Sequence, residues 1–399
     1  MVKPWDTATI GDFLDFKNGL NKGKEFFGYG TPIVNYTDVY RKRGLTKNDV
    51  RGKVNLTRDE IHRFDARKND VFFTRTSETP EEVGMSSVLL DDIDDCVFSG
   101  FVLRGRPKND MFTPEYCKYC FTTEAVRNAI TMGCTYTTRA LTNGKQLSAI
   151  EIVVPSKPEQ EAIAQSLTDI DELILSLEKL VAKKKAIKQG AMQELLTGKR
   201  RLPGFSEEWQ NIVLGTVSSF YNGGTPSKTR KDWWSGNIPW ISSSDLSEST
   251  ITSVKISRFV SQEAVARSAT RICPRNAVLI VSRVGVGKVA VSPCELCTSQ
   301  DFTTIVSSRH NPYFLAYMLM PIMKKLAIQS QGTSIKGITT EDIQIIAIPT
   351  PSEEEQNAIV DILADTDSEI EALEQKLKKY RQVKQSMMQQ LLTGKIRLV

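Results

Sequence analysis

The sequence predicts an α+β protein in which two α/β globules are joined by two long antiparallel coiled-coil helices in a pseudo-twofold circular arrangement. Three observations predict it: a gapless internal repeat, a heptad pattern in both copies, and matching openings of the segments that precede them. The expected domains are a first globule at 1–154, a central helix at 155–204, a second globule at 205–350 and a C-terminal helix at 351–399. The globules are called the first and second heads below.

The repeat relates residues 155–202 to residues 351–398. Shifted by 196 positions, the two 48-residue segments align without a gap and share 24 identities. Both begin with the pattern Pro-Ser-x-x-Glu-Gln-x-Ala-Ile and both end near Leu-Leu-Thr-Gly-Lys. Half identity in one register indicates duplication of a single helical element.

The ends of both copies carry helix boundary signals. Ser156 with Glu159, and the same pair in the second copy, predict capping boxes, in which serine and glutamate satisfy free backbone N–H groups. Gly198 and Gly394 predict the C-terminal stops, because glycine adopts the left-handed conformation without steric cost. Each helix of roughly 40 residues would be about 60 Å long.

Apolar residues recur in both copies at alternating steps of four and three, which is typical of a coiled-coil seam. A lone helix with one apolar stripe needs a partner, and the other copy is the natural one. The first copy of the Leu-Leu-Thr-Gly-Lys motif leads into Trp209. If the C-terminus were joined to Met1, the second copy would lead into Trp5 in the same way. The two helices are therefore expected to be antiparallel, with one head at each end. The predicted helix–helix seam consists of Ile163, Leu167, Ile170, Ile174, Leu177, Val181, Ile359, Leu363, Ile370, Leu373, Leu377 and Tyr380.

The two heads are β-rich and match at several points. Trp5 precedes Ile-Gly as Trp209 precedes Leu-Gly, and an apolar run leading to Arg75 resembles one leading to Arg283. Helical patches are expected near 114–131 and 312–331. The heads have diverged more than the helices, which suggests two different binding tasks on one scaffold.

Composition excludes several classes of protein. No apolar run approaches the roughly 20 residues that span a bilayer, and no apolar signal core follows the N-terminus, so a cytoplasmic protein is expected. Seven cysteines without a regular framework fit a reducing compartment, and two histidines leave little material for a histidine-based centre. The net charge of +5 permits nucleic-acid binding without demonstrating it.

The two helix starts, the two Leu-Leu-Thr-Gly-Lys ends and the Trp-x4-[Ile/Leu]-Gly openings resemble type I restriction–modification DNA-specificity subunits over essentially the whole chain. The resemblance implies a non-catalytic subunit with two target-recognition domains, each recognising one half of an asymmetric, bipartite double-stranded DNA site. It also implies helices that set the gap and dock two methyltransferase subunits.

Cofactors are implied only for the partners. The resemblance implies S-adenosylmethionine in the methyltransferase and ATP with magnesium in motor–nuclease subunits, and no cofactor, metal or membrane contact for this chain.

DNA contacts are expected from basic and small polar residues in Gly-rich or polar stretches, through phosphates and base edges. Arg75 and Arg283 are the favoured pair, although for any single candidate a solvated surface charge is the favoured explanation. The candidates are Lys22, Lys24, Arg75, Thr76, Ser77 and Arg139 in the first head, and Lys228, Lys231, Ser243, Ser244, Arg283 and Lys288 in the second.

Three lookalike motifs are better explained structurally. The Asn-Pro-Tyr-Phe segment that begins at Asn311 lacks the second proline of the Asn/Asp-Pro-Pro-Tyr motif that holds the target adenine in amino-methyltransferases. In the first head, Thr113 followed by proline stands at the matching place, so Asn311 and Thr113 are both expected to be helix caps. The Gly-Val-Gly-Lys segment ending at Lys288 lacks the remainder of a phosphate loop and predicts a turn between strands. The pairs Cys117-x-x-Cys120 and Cys294-x-x-Cys297 occupy non-equivalent places, so a shared zinc site is not expected.

Two alternatives are weighed against DNA specificity. A fused methyltransferase or nuclease lacks a cofactor loop and a paired-carboxylate core. A structural coiled-coil adaptor with two protein-binding heads stays open; it predicts no salt-dependent DNA affinity.

Overall fold

A computed structural model describes residues 5–330 and 337–398. The last residue of the second expected helical patch, Gln331, lies outside the described residues. Backbone contacts divide the chain into two compact units, Met1–Glu178 with Lys376–Val399, and Lys179–Gln375. Each unit therefore contains one head together with part of each long helix.

The first head alternates short strands with short helices, and a long helix follows it. In chain order the elements are β1 (Asp6–Thr9), α1 (Ile10–Phe13), β2 (Leu14–Asn18), β3 (Phe27–Val34), α2 (Tyr36–Arg41), β4 (Gly44–Leu45), β5 (Gly52–Val54), α3 (Arg58–Arg63), β6 (Val71–Thr74), β7 (Thr76–Ser77), β8 (Ser86–Leu89), β9 (Val97–Phe98), β10 (Val102–Pro107), α4 (Pro114–Cys120), α5 (Glu124–Gly133), β11 (Thr135–Tyr136), β12 (Ala140–Leu141), α6 (Gly144–Ser148), β13 (Glu151–Val154) and the long helix α7 (Lys157–Leu195).

The second head repeats this plan, and a second long helix follows. Its elements are β14 (Gln210–Val213), α8 (Leu214–Val217), β15 (Ser218–Asn222), β16 (Ile238–Ile241), β17 (Arg258–Val260), α9 (Gln262–Arg267), β18 (Ile272–Cys273), β19 (Val278–Val281), β20 (Val289–Val291), β21 (Leu296–Thr298), β22 (Phe302–Ser307), α10 (Pro312–Ser330), α11 (Thr340–Gln344), β23 (Ala347–Thr350) and α12 (Glu353–Leu391).

The sheets of the two heads correspond. The first head has a sheet in the order β2-β10-β6-β8-β4, and the second has β15-β22-β19-β20. A second sheet, β5-β3-β9, matches the β17-β16-β21 part of its counterpart, and β1 pairs with β13 as β14 pairs with β23. In both heads the first and last strands therefore pair, which brings the start of the head to the start of the long helix.

Within each unit the two long helices are antiparallel. In the first unit Arg381 lies 2.7 Å from Glu178, and Lys384 pairs with Asp171. In the second, Lys184 pairs with Glu369 and Lys188 with Asp367, each at 2.5 Å. Residue numbers on α12 fall as those on α7 rise. The structure confirms the predicted fold class of two α/β heads and two antiparallel long helices.

Three lysines of α7 form ion pairs with carboxylates of α12 within the second unit. Besides Lys184 and Lys188, Lys185 pairs with Glu374 at 2.6 Å.

The residues of the predicted seam are all buried or half-buried. At its ends the seam also meets the heads: Ile163 and Leu167 join the core that contains Tyr116 and Leu391, and Leu363 joins the core that contains Phe314. The apolar stripe therefore serves to attach the heads as well as to pair the helices.

A buried glutamate at the start of each long helix ties together three parts of its unit. In the second unit the Glu355 carboxylate accepts from Arg201 Nε and Nη2 at 2.7 and 2.8 Å and from Trp209 Nε1 at 3.0 Å. In the first, Glu159 accepts from Arg397 Nη2 at 2.8 Å and from Trp5 Nε1 at 3.0 Å. Arg397, near the C-terminus, thus binds Glu159 in the first unit as Arg201 binds Glu355 in the second.

The helix boundaries are close to those expected. Gly198 and Gly394 have φ of +69° and +70°, which confirms the glycine stops. Only part of each expected capping box forms: Ser156 Oγ and N donate to Glu159, whereas Ser352 Oγ accepts from the Glu355 backbone N–H. The Glu355 carboxylate is bound to Arg201 and Trp209 instead.

A histidine with a depressed pKa is buried in the second unit. His310 is 6% exposed; its Nδ1 lies 2.7 Å from Ser307 Oγ and its Nε2 lies 2.8 Å from Thr350 Oγ1. Burial, together with the nearby Arg309 charge, lowers the pKa of His310 to about 4. The ring is neutral at pH 7.

The lowered pKa of His310 predicts that the stability of the fold depends on pH. Because the folded pKa lies below the unfolded value near 6.5, the unfolded state binds the proton more readily as pH falls toward 4. We expect the free energy of unfolding to fall by about 2 kcal/mol between pH 7 and pH 5, measured by urea denaturation. His310→Phe should flatten this dependence; an equally steep dependence in the variant would contradict the assignment.

In the part of the chain that the structure describes, no helix is both long enough and apolar enough to cross a membrane.

Candidate nucleic-acid interface

In the first head, loops that follow several strands meet around one cleft of about 410 Å³. The segment after β3 supplies Tyr36 and Tyr40, β7 supplies Thr76 and Ser77, and the β9–β10 turn supplies Phe101. The complete lining, called the first cleft below, is Tyr36, Tyr40, Thr76, Ser77, Glu78, Glu82, Phe101 and Arg139.

Arg139 reaches the first cleft through strand pairing. It precedes β12, and β12 pairs with β7 so that Ala140 lies opposite Ser77 and Leu141 opposite Thr76. The guanidinium is exposed beside two hydroxyl groups. The cleft thus offers a cation, hydroxyls and aromatic faces, which are the groups that contact phosphates and base edges.

Aromatic side chains form part of the wall of the first cleft. The rings of Tyr36 and Tyr40, one helical turn apart on α2, stack with centroids 5.8 Å apart and planes at 14°. Phe101 is 57% exposed. A large exposed aromatic group beside polar residues favours contact with a ligand over packing in the core.

Backbone hydrogen bonds and dihedral angles show which residues of the two heads correspond around β6 and β19. The Arg75 N–H donates to Phe101 O at 2.9 Å, and the Ser282 N–H donates to Asp301 O at 2.8 Å. Asn69 and Asn276, six residues earlier in each case, both have positive φ. Arg75 therefore corresponds to Ser282, and Arg283 corresponds to Thr76.

The expected equivalence of Arg75 and Arg283 is wrong by one residue. Successive side chains along an extended segment point to opposite faces, so the slip changes which face each arginine occupies. Thr76 lines the first cleft, whereas Arg75 does not; its Nη1 donates to Gly100 O at 3.5 Å. By the same register Arg283, which is exposed, stands at the backbone position that Thr76 occupies in the first head.

In the second head the backbone positions that correspond to Tyr36, Thr37, Thr76, Ser77 and Glu78 are occupied by Ser243, Ser244, Arg283, Val284 and Gly285, which are called the second surface below. Ser242 begins the turn after β16 as Asn35 begins α2 after β3, each with its backbone N–H bonded to an aspartate three residues later. A Cβ placed on Gly285 would lie 3.8 Å from Ser243, so the two residues are neighbours, and Val284 is 69% exposed. The two heads thus present different side chains from the same framework.

The remaining candidates are distributed elsewhere or engaged within their heads. Lys22 pairs with Glu60 and lies over the Phe26 ring, and Lys24 is exposed on the turn before β3. Lys228 and Lys231 are exposed between β15 and β16. The Lys288 ammonium donates to the carbonyl oxygens of Ser243 and Leu246 at 3.2 Å, so it orders the segment that carries Ser243.

The lookalike motifs have structural roles. Thr113 Oγ1 accepts from the Tyr116 N–H, and Asn311 Oδ1 accepts from the Tyr313 N–H, which confirms both helix caps. The Gly-Val-Gly-Lys segment is a turn between β19 and β20, with φ of +83° and +104° at its glycines. Cys117 and Cys120 are buried in the core of the first unit.

Comparison with known proteins decides the family. A family model described as the type I restriction modification DNA specificity domain matches residues 2–189 and, a second time, residues 206–380. The chain belongs to this family. Each match to the DNA specificity domain family covers one head and part of the long helix that follows it.

Curated relatives match either nearly the whole chain or about half of it. The chain is 24% identical over 411 residues to a putative type I restriction enzyme MjaX specificity subunit of Methanocaldococcus jannaschii, covering 99% of this chain and 94% of the relative. It is 28% identical over 232 residues to the EcoR124I/EcoR124II specificity subunit of Escherichia coli, covering 55% of each. The crystal structure of a type I restriction–modification S subunit from M. genitalium shares the fold, with a TM-score of 0.61, 15% identity, and coverage of 97% of this chain and 96% of that one.

Sequence reasoning missed the aromatic and acidic part of the first cleft: Tyr36, Tyr40, Phe101, Glu78 and Glu82. Cations and hydroxyls are the groups that a sequence most readily marks as candidates for DNA contact. Phe101 directly after Ser99-Gly100, where an exposed phenylalanine is unexpected, was the available signal.

Proposed function

We propose that this chain is the DNA-specificity subunit of a type I restriction–modification complex. Each head recognises one half of a bipartite double-stranded DNA site, and the sequence of that site is asymmetric because the heads differ. The observation that carries the proposal is the double match to the DNA specificity domain family, one match for each head. It favours this function over a protein-binding adaptor.

The two heads differ in side chains where their frameworks agree, which supports two different half-sites. The first cleft contains aromatic rings, hydroxyls, Glu82 and Arg139, whereas the second surface contains two serines and Arg283. Arginine binds the N7 and O6 acceptors of guanine in bidentate geometry. Arg283 is thus the leading candidate for base recognition by the second head.

The long helices set the gap between half-sites and dock two methyltransferase subunits. Exposed apolar side chains on α7 support docking, because pairing with α12 leaves them uncovered: Leu175, Leu180 and Ile187 are 50%, 39% and 52% exposed. In the full complex the methyltransferase binds S-adenosylmethionine, and motor–nuclease subunits bind ATP and magnesium. The specificity subunit itself supplies recognition and no catalytic group.

The role of Arg283 tests the proposal. In a complex with the methyltransferase, Arg283→Ala should relax one position of one half-site, roughly ten- to a hundred-fold in relative methylation, because the bidentate contact discriminates by about 1–3 kcal/mol. The other half-site should be unchanged. The measurement is the distribution of N6-methyladenine over a genome, read by single-molecule sequencing.

Arg275→Ala is the matched control, because Arg275 is exposed at the opposite end of β19. This variant should retain the parental motif. Equal effects of the two substitutions, or effects on both half-sites, would argue against base recognition by the second surface.

A further inference from the structure

We propose that Glu82 determines specificity in the first head by accepting a hydrogen bond from the exocyclic amino group of a DNA base. The inference rests on the proposed function and adds the base chemistry that the first cleft recognises. Cytosine N4 and adenine N6 are the two sources of such a donor in the major groove.

The Glu82 carboxylate is held in place and still has free acceptor capacity. Tyr40 Oη donates to Oε1 at 2.7 Å, and Ser77 Oγ donates to Oε2 at 3.0 Å. Each carboxylate oxygen can accept about two hydrogen bonds, so one acceptor position on each oxygen stays open. Because each oxygen has a donor within the head and Tyr40 is itself stacked on Tyr36, the carboxylate is oriented before any ligand binds.

Glu82 is not neutralised inside the head. Within residues 5–330 and 337–398, no lysine or arginine forms an ion pair with it, and Arg139, which lines the same cleft, lies beyond ion-pair distance. A bare carboxylate in a DNA-binding cleft repels phosphates. Its presence there is favourable where it meets a donor, and base amino groups are the donors that duplex DNA offers in the major groove.

The surroundings of Glu82 suit a base edge. The exposed Phe101 ring offers apolar contact, and Thr76 offers a hydroxyl. The Glu82 carboxylate raises the pKa of the Tyr40 hydroxyl that donates to it, so Tyr40 stays a donor at neutral pH.

A purely structural role for Glu82 is the competing explanation. Its carbonyl oxygen accepts from Thr74 Oγ1 at 3.1 Å, and its carboxylate bridges α2 and β7. A structural role predicts lower stability on substitution and no change in the DNA sequence recognised. Base recognition predicts a changed preference at one position.

Glu82→Gln keeps the shape and one acceptor oxygen and replaces the other with a donor. In the methylation experiment we expect this variant to relax one position of the half-site that Arg283→Ala leaves intact, by roughly ten- to a hundred-fold. Glu81→Gln is the control, because Glu81 is exposed, adjacent and outside the cleft lining. It should retain the parental motif.

The outcomes separate this inference from the proposed function. No bipartite motif with the parental chain would overturn both. A parental bipartite motif that Glu82→Gln leaves unchanged would overturn the role of Glu82 alone.

A DNA-side experiment covers the case in which Glu82→Gln abolishes methylation. Duplexes are prepared with purine in place of adenine, or 2-pyrimidinone in place of cytosine, at each candidate position of the first half-site. One replacement should weaken binding of the parental complex at least roughly tenfold, and its identity shows which base supplies the amino group. The Glu82→Gln complex should be insensitive to that replacement; equal sensitivity in both complexes, or none in the parental one, would overturn the proposal.

Discussion

Asp367→Ala is expected to lower the free energy of unfolding of the second unit by about 3 kcal/mol. Asp367 accepts from Lys188 Nζ at 2.5 Å and from Tyr317 Oη at 2.7 Å, and the two charged side chains are 13% and 9% exposed. Removing the carboxylate leaves the Lys188 ammonium buried without its partner. The loss should appear as a lower urea midpoint at unchanged slope.

Two variants control this prediction. Asp365→Ala removes an exposed carboxylate two residues away on the same helix and should change the free energy of unfolding by less than about 0.5 kcal/mol. The double variant Lys188→Met with Asp367→Leu removes both charges and should be within about 1 kcal/mol of the parental protein. A double variant as unstable as Asp367→Ala would show that the carboxylate acts through Tyr317 rather than through Lys188.

Lengthening both long helices is expected to change the gap in the recognised DNA site and nothing else about it. Seven residues inserted after Lys179 in α7 and after Gln375 in α12 preserve the heptad phase and lie between the ion pairs of the two units. Seven helical residues add about 10 Å, which corresponds to about three base pairs at 3.4 Å each. The methylated motif should therefore gain about three unspecified positions while both half-sites persist.

The matched control inserts the same seven residues after Pro203, in the exposed segment between α7 and β14. This variant should retain the parental gap. Changed half-sites, or an unchanged gap after insertion into both helices, would contradict the role of the helices in setting the spacing.

The helical part of the fold was predictable because its signals are local and duplicated. The glycine stops depend only on one residue's backbone conformation, and Gly198 and Gly394 both adopt it. The repeat also contains a signal for how the two helices pair. Asp171 of the first copy corresponds to Asp367 of the second, and Lys188 corresponds to Lys384. In the structure Lys188 pairs with Asp367 and Lys384 pairs with Asp171, so each ion pair joins the two helices.

The candidate DNA-contacting surfaces were harder to predict, since they are assembled from loops far apart in sequence. Thr76, Ser77 and Arg139 were proposed because they are polar and lie near apolar strands, and they line the first cleft. Tyr40 and Glu82 come together only through the packing of α2 against the turn after β7. The one-residue error in matching Arg75 to Arg283 has the same origin. A short apolar run fixes a strand, and only its backbone partners fix the register.

The central claim is most directly tested by mapping N6-methyladenine in a methylation-free host that expresses the candidate methyltransferase with or without this chain. The account predicts a bipartite motif with two different half-sites that is present only when the chain is co-expressed. A soluble, folded complex that yields no such motif, or a motif that persists without the chain, would contradict it.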